Sequence, residues 1–132
     1  MPLEFHWLLE GQIILHHNIG DITEDDMLQG DDPLNRLLDA ATSPLVHVIV
    51  LTAQQGKMPK SVSSFTQASW TRHPRLGWTV IVGLQDPILR FIASTAGQIF
   101  KMRMKFVETP QDALTFLQYV DSTLPQTLTM PI

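Results

Sequence analysis

The sequence predicts an α/β fold with a single mixed sheet of about five strands, opened by a β-hairpin and continued by alternating helices and strands. Three observations carry that expectation. The first twenty residues read as two strands joined by a tight turn, and each later strand is separated from the one before it by a helical stretch. Leu45–Leu51 and Trp78–Val82 are near-continuous apolar runs rich in β-branched residues, as central parallel strands covered on both faces require. Strands reached through a helix favour parallel, right-handed crossovers.

Taken in order, Leu3, Phe5, Trp7 and Leu9 alternate with Glu4, His6 and Leu8, the period of a half-buried strand. Glu10-Gly11 turns the chain into a second strand, Gln12–Ile19. Two-residue and three-residue loops containing Gly11 are both compatible with the sequence, so the register stays open between them. Gly20 ends that strand, and Thr23-x-x-Asp26 resembles a capping box. Gly30-Asp31-Asp32-Pro33 then reads as an interruption, with Asp32-Pro33 as a fresh helix start. The expectation is a short turn near Glu24–Leu28 and a helix near Pro33–Ala41, burying Leu34, Leu37, Leu38 and Ala41.

After the Leu45–Leu51 strand, a polar loop over Thr52–Lys60 leads to a helix expected near Ser61–Thr71. His73–Gly77 forms a turn, and Trp78–Val82 is closed by Gly83. Asp86-Pro87 starts a third helix, roughly Pro87–Phe100, whose apolar positions Ile88, Leu89, Ile92, Ala96, Ile99 and Phe100 keep helical spacing. Met102, Met104 and Phe106 alternate with Lys101, Arg103 and Lys105, giving a strand with one apolar and one basic face. Thr109-Pro110-x-Asp112 caps the last helix, with Ala113, Leu114, Leu117 and Val120 inward. Residues 1–124 are read as one domain and 125–132 as a frayed tail.

Composition bounds the function. A chain of 132 residues holds one domain with a real core. Its 44% hydrophobic content excludes disorder, and the absence of cysteine excludes thiol chemistry, Cys-built zinc sites and disulfides. Residues 1–56 hold nine acids and one base, while residues 57–132 hold four acids and eight bases. Six of the acids lie within Asp21–Asp32, a patch read as a solvated loop and helix start. An acidic chain with nine bases in all argues against nucleic-acid binding. Lys101, Arg103 and Lys105 read as an edge-strand guard against aggregation rather than an anion site. With no Lys or Arg in the first ten residues and no apolar run near 18 residues, neither a signal peptide nor a membrane span is expected, and the predicted location is cytoplasmic.

Motifs for chemistry are scarce. Asp21–Asp32 has Asp26 where a calcium loop needs Gly, and Asp32 where it needs the bidentate Glu. Adjacent His16 and His17 point to opposite faces of a strand and cannot grip one ion. A two-residue hairpin loop would set His17 opposite Glu4 and diagonal to His6; structural histidines at a sheet edge are the simpler reading. No nucleophile elbow, P-loop or dinucleotide fingerprint is present. Neither an enzyme nor a cofactor or metal site is expected.

The opening hairpin, the Leu45–Leu51 strand, the segment from His73 to Gly83, and Phe106-Val107-Glu108-Thr109 before Asp112-Ala113-Leu114 together resemble small bacterial proteins of the SpoIIAA-like, or STAS-like, superfamily. The resemblance implies about five strands packed by helices, an architecture also related to lipid carriers of the CRAL-TRIO type. It implies a phospho-accepting Ser in an Asp-Ser-Ser-Gly-like segment after the third strand. Here that stretch reads Leu51-Thr52-Ala53-Gln54-Gln55-Gly56, so the motif is missing, and Ser61, Ser63 and Ser64 are nearby hydroxyls that do not match it.

Two functions follow as expectations. One is a non-catalytic interaction or regulatory module that docks another protein, a second copy included, through Thr52–Ser64, with Ser61, Ser63 and Ser64 as candidate interaction or phospho-acceptor residues. The alternative is a carrier or sensor of a small lipophilic ligand, with Phe91, Ile92, Ile99, Phe100, Met102 and Met104 as pocket candidates.

Overall fold

The computed structural model describes residues 3–130. Its strands are β1 (Leu3–Leu9), β2 (Ile13–Gly20), β3 (Val46–Gln55), β4 (Leu76–Val82) and β5 (Arg103–Val107). Its helices are α1 (Glu24–Ala40), α2 (Val62–Thr66), α3 (Pro87–Ile99) and α4 (Pro110–Val120), with a 3-10 turn over Ser69–Arg72 between α2 and β4. The sheet order is β1-β2-β3-β4-β5; β1 and β2 are antiparallel and every other pair is parallel. The α/β class and the single mixed five-stranded sheet are as the sequence predicts.

The hairpin reaches its register by a compensation. The turn between β1 and β2 has three residues, which alone would pair Leu9 with Ile13 and leave Glu4 one place off His17. A bulge at Leu8 restores the step, so Glu4 faces His17. The His6 and His17 rings stack 5.0 Å apart. Among the described residues no group of three His, Asp or Glu side chains is arranged to hold a metal ion.

Two helical expectations are corrected. α1 runs unbroken from Glu24 to Ala40 through Gly30 and Pro33 instead of restarting at Pro33. Gly30 permits this, because a Cβ there would stand 2.8 Å from Leu3 Cδ1, so α1 lies directly on β1. Asp31 is taken up by tertiary bonds rather than by capping: its carboxylate accepts from Ser69 Oγ at 2.7 Å and from the Trp70 N–H at 2.8 Å. The same bonds explain the second correction. The helix expected over Ser61–Thr71 stops at Thr66, and the chain resumes as a 3-10 turn pinned to Asp31.

The acidic run has a structural use throughout. Asp21 accepts from the Lys57 N–H, Glu24 from Ser64 Oγ and Asp25 from Gln29, while Asp26 closes the capping box with Thr23 and Asp32 pairs with Arg36. Three of the six acids thereby hold the 57–70 segment against α1 and the strand end before it. At the other end of α1, Arg75 donates to the carbonyls of Leu38, Asp39 and Ala41, supplying the cation that the last helical turn lacks.

The sheet is covered on both sides. On one side α4 buries Ala113, Leu114 and Leu117 against Ile13, Leu15, Ile49, Leu51, Val80 and Val82. Leu128 and Met130 of the terminal segment pack on this cluster, and Gln118 donates to the Pro125 carbonyl; Pro131 and Ile132, the end of the tail expected to fray, lie outside the described residues. On the other side α1 and α3 cover Ile14, Val48, Val50 and Ile81, and Phe65 of α2 faces the same side as Val50 and Ile81. Of the apolar positions expected along α3, Leu89, Ile92 and Ala96 are buried, whereas Ile88 and Ile99 face solvent. Val120 of α4 is likewise partly exposed rather than inward. No helix among the described residues is long and apolar enough to cross a membrane.

Candidate functional site

Beneath α1, α2 and α3 lies a cavity of about 110 Å³. Its floor is the sheet: His16 and Asn18 from β2, Val50 from β3, Thr79 and Ile81 from β4, and Met104 from β5. Its walls are Leu3 and Phe5 from β1, Met27 and Gly30 from α1, and Ala93, Ala96 and Gly97 from α3. Met58, Phe65 and Trp70 close it from the segment between β3 and β4, with Phe100 and Met102 at the far end.

The lining is apolar except for three floor residues and Thr71, whose hydroxyl donates to the Ala68 carbonyl; each of the three floor residues keeps at least one polar atom unpaired. His16 Nδ1 and Nε2, Asn18 Oδ1 and Thr79 Oγ1 are buried and make no hydrogen bond within the protein. His16 lies 4.7 Å from the Phe5 ring and edge-on to Trp70 at 6.1 Å. Burial lowers its pKa to about 3, helped by the neighbouring His17, so the ring is neutral at ordinary pH. Each buried polar group left unpaired costs about 1–3 kcal/mol. A void of this size adds about 2–3 kcal/mol at ~24 cal/mol per Å³. Against a typical net stability of about 5–15 kcal/mol these are large concessions.

The other buried histidine is the opposite case. His47 of β3 is 1% exposed. Its Nδ1 accepts the Trp78 backbone N–H at 3.0 Å, which places the ring proton on Nε2, and Nε2 donates to Asp121 Oδ2 at 2.8 Å. Partial burial works to raise the Asp121 pKa, but hydrogen bonds from Thr123 and His47 outweigh it and hold the carboxyl below its ordinary value. Gly77 makes room for the ring, since a Cβ there would stand 2.6 Å from His47 Nδ1. His73 repeats the arrangement at the surface: Nδ1 accepts the Arg75 N–H at 3.0 Å and Nε2 donates to Asp39 at 2.6 Å. Both rings resemble catalytic dyads in outline, yet both nitrogens of each are committed to holding the fold. A wider surface depression of about 470 Å³ includes His47 and Asp121, whose polar atoms are already paired.

The residues singled out from sequence are divided by the structure. Phe100, Met102 and Met104 line the cavity. Ile92 is buried outside its lining, while Phe91 and Ile99 are 69% and 57% exposed. Ser64 is buried and donates to Glu24, whereas Ser61 and Ser63 are exposed with their hydroxyls 2.8 Å apart. Of the polar floor residues, His16 was weighed from sequence only as half of a metal pair, and Asn18 and Thr79 were not singled out. The signal was two polar residues two apart on one strand, which becomes informative once that strand is known to lie inside the sheet under helices.

No family model and no curated protein matches this sequence. Among solved structures, an uncharacterized protein of the DUF3478 family from Shewanella loihica, described as having a SpoIIAA-like fold, superposes with a TM-score of 0.62 at 16% identity. The alignment covers 87% of this chain and 91% of that one. The fold is SpoIIAA-like. The anti-sigma factor antagonist SpoIIAA in its unphosphorylated form superposes with a TM-score of 0.59 at 14% identity, over 88% of this chain and 97% of that one. Identity this low carries the SpoIIAA-like architecture and no more, so function has to be argued from the site.

Proposed function

We propose that this protein is a non-catalytic regulatory module of the cytoplasm, binding no nucleic acid, that acts as a sensor or carrier of a small lipophilic ligand held between the sheet and α1–α3. The observation that carries this reading is the cavity with four unpartnered polar atoms in its floor. A fold gains nothing from such a void, whereas a ligand with an apolar body and a polar group would fill it and complete its hydrogen bonds. The engaged nitrogens of His47 and His73 support the non-catalytic part. Native mass spectrometry on freshly purified protein tests the reading. Extra mass that disappears on denaturation is the expected result, and polypeptide mass alone, together with no binding of small apolar probes, would overturn it.

One observation favours a second reading, in which the module docks another protein. Ile88, Phe91 and Ile99 stand 53%, 69% and 57% exposed along one side of α3, and the SpoIIAA-like fold includes an anti-sigma factor antagonist. A second copy of this chain is the simplest partner for an apolar stripe, joined about a two-fold axis. Sedimentation at several concentrations checks it: a dimer abolished by Phe91→Asp supports self-association, and a monomer throughout refutes it.

A further inference from the structure

The chemistry of the cavity narrows the class of ligand, an inference that rests on the ligand-binding reading above. Among the described residues, no Asp, Glu, Lys or Arg lines it. Its one titratable side chain, His16, is held neutral by burial. An ion brought into this site would lose its hydration and meet no counter-charge, so the site selects a neutral molecule.

Size and wall chemistry point to a single ring. A cavity of ~150 Å³ accommodates one benzene, and this one, at about 110 Å³, admits no more than a single ring and requires its walls to give. Four of the chain's six methionines, Met27, Met58, Met102 and Met104, stand in its walls. Their unbranched side chains adjust to a guest, and thioethers favour aromatic edges.

The unpaired atoms define the polar group. Asn18 commits its Nδ2 to Gln55 Oε1 at 2.7 Å, which leaves Oδ1 as a bare acceptor. Neutral His16 offers one N–H and one bare nitrogen and uses neither. The two residues are i, i+2 on one face of β2, about 7 Å apart along the strand. A group that both donates and accepts suits them, and a hydroxyl is the smallest that does. In the same register row, Val50 and Ile81 follow His16 across the sheet and provide an apolar bed.

We propose that this cavity binds a neutral one-ring aromatic molecule bearing a hydroxyl group, with the hydroxyl at His16 and Asn18 and the ring over Val50 and Ile81. Thr79 Oγ1, on the strand beyond Val50, is placed for a second substituent at the other end of the ring.

Phenol and toluene are near-equal in size, and benzoate is larger and charged, with neutral benzamide as its size control; titrated into the whole chain at pH 7 by calorimetry and ligand-observed NMR, they separate the alternatives. Phenol should bind about tenfold tighter than toluene, the worth of one net hydrogen bond, and benzoate should not bind. In His16→Leu, which leaves Asn18 Oδ1 as the hydroxyl's remaining partner, the preference for phenol should shrink while toluene binding persists. The milder Thr79→Val should keep the preference. Toluene equal to phenol, binding of benzoate, or a preference undiminished in His16→Leu would overturn the ligand class and leave the cavity as a binding site. Binding of none of these probes would overturn both the class and the ligand-binding reading.

Discussion

On the α4 side of the sheet, whose apolar residues form a packed cluster, His47 spends both ring nitrogens on partners, Trp78 N–H and Asp121. On the opposite side His16 is nearly as buried and spends neither, in the floor of a cavity. The same side chain, buried in both positions, is in one place part of the scaffold and in the other a liability to it. Packing and polar satisfaction go together on the α4 face and fail together on the α1–α3 face. The proposed ligand site rests on that coincidence, because empty voids are ordinarily apolar and buried polar groups ordinarily have a partner.

The contrast can be broken in several ways. Leu117 is wholly buried beneath α4, so Leu117→Ala should lower unfolding stability in urea by about 2–5 kcal/mol. Met104→Ala, which enlarges a space already lacking neighbours, should fall at or below the bottom of that range. An equal loss at both positions would mean that the two faces are packed alike.

The histidines should respond with opposite sign. His47→Leu strands the Trp78 N–H and the Asp121 carboxylate, and should cost about 1–3 kcal/mol. His16→Leu removes two unpaired polar atoms and should stabilise the free protein by about 1 kcal/mol at pH 7. A destabilised His16→Leu in the same urea series would show that the ring has a partner in solution.

Acidity sharpens the point. His16 has a pKa of about 3 when folded against an ordinary 6.5. Between those values the unfolded chain takes up a proton that the folded chain refuses. Stability is therefore whole above about pH 6.5, falls as pH drops toward 3, and has no further His16 contribution below that. The slope reaches at most about 1.4 kcal/mol per pH unit for one proton. Thermal midpoints should fall less steeply from pH 7 to pH 4 in His16→Leu than in the wild type. The smallest effect is expected at the surface: Phe91→Ser should shift monomer stability by no more than about 0.5 kcal/mol, and a larger loss at low concentration would reveal a contact that buries it.

How far all this was legible in the sequence varied with the range of the interaction. The hairpin, the two apolar central strands and the caps at Thr23, Asp86 and Thr109 are local patterns, and the structure has them. The continuity of α1 was not legible, because what carries the helix past Gly30 and Pro33 is Leu3 beneath it and Ser69-Trp70 beside it, some 27 to 40 positions away. α2 was overextended for the same reason. At the site, Phe100, Met102 and Met104 could be named from an apolar pattern, which also named the solvent-facing Phe91 and Ile99. The polar floor needed strands β2 and β4 to be placed two apart under one helical layer, a fact of topology that spacing along the chain does not contain.

Gly77 and His47 form a pair with an evolutionary consequence. A side chain at 77 would collide with the imidazole at Nδ1 and Cε1, so neither position is free to drift while the other stays. Homologous chains should therefore fall into two groups: those that keep both residues, and those that have exchanged both and lost the tie to Asp121. A chain with histidine at the first position and any larger residue at the second would need a differently aligned β3–β4 pair.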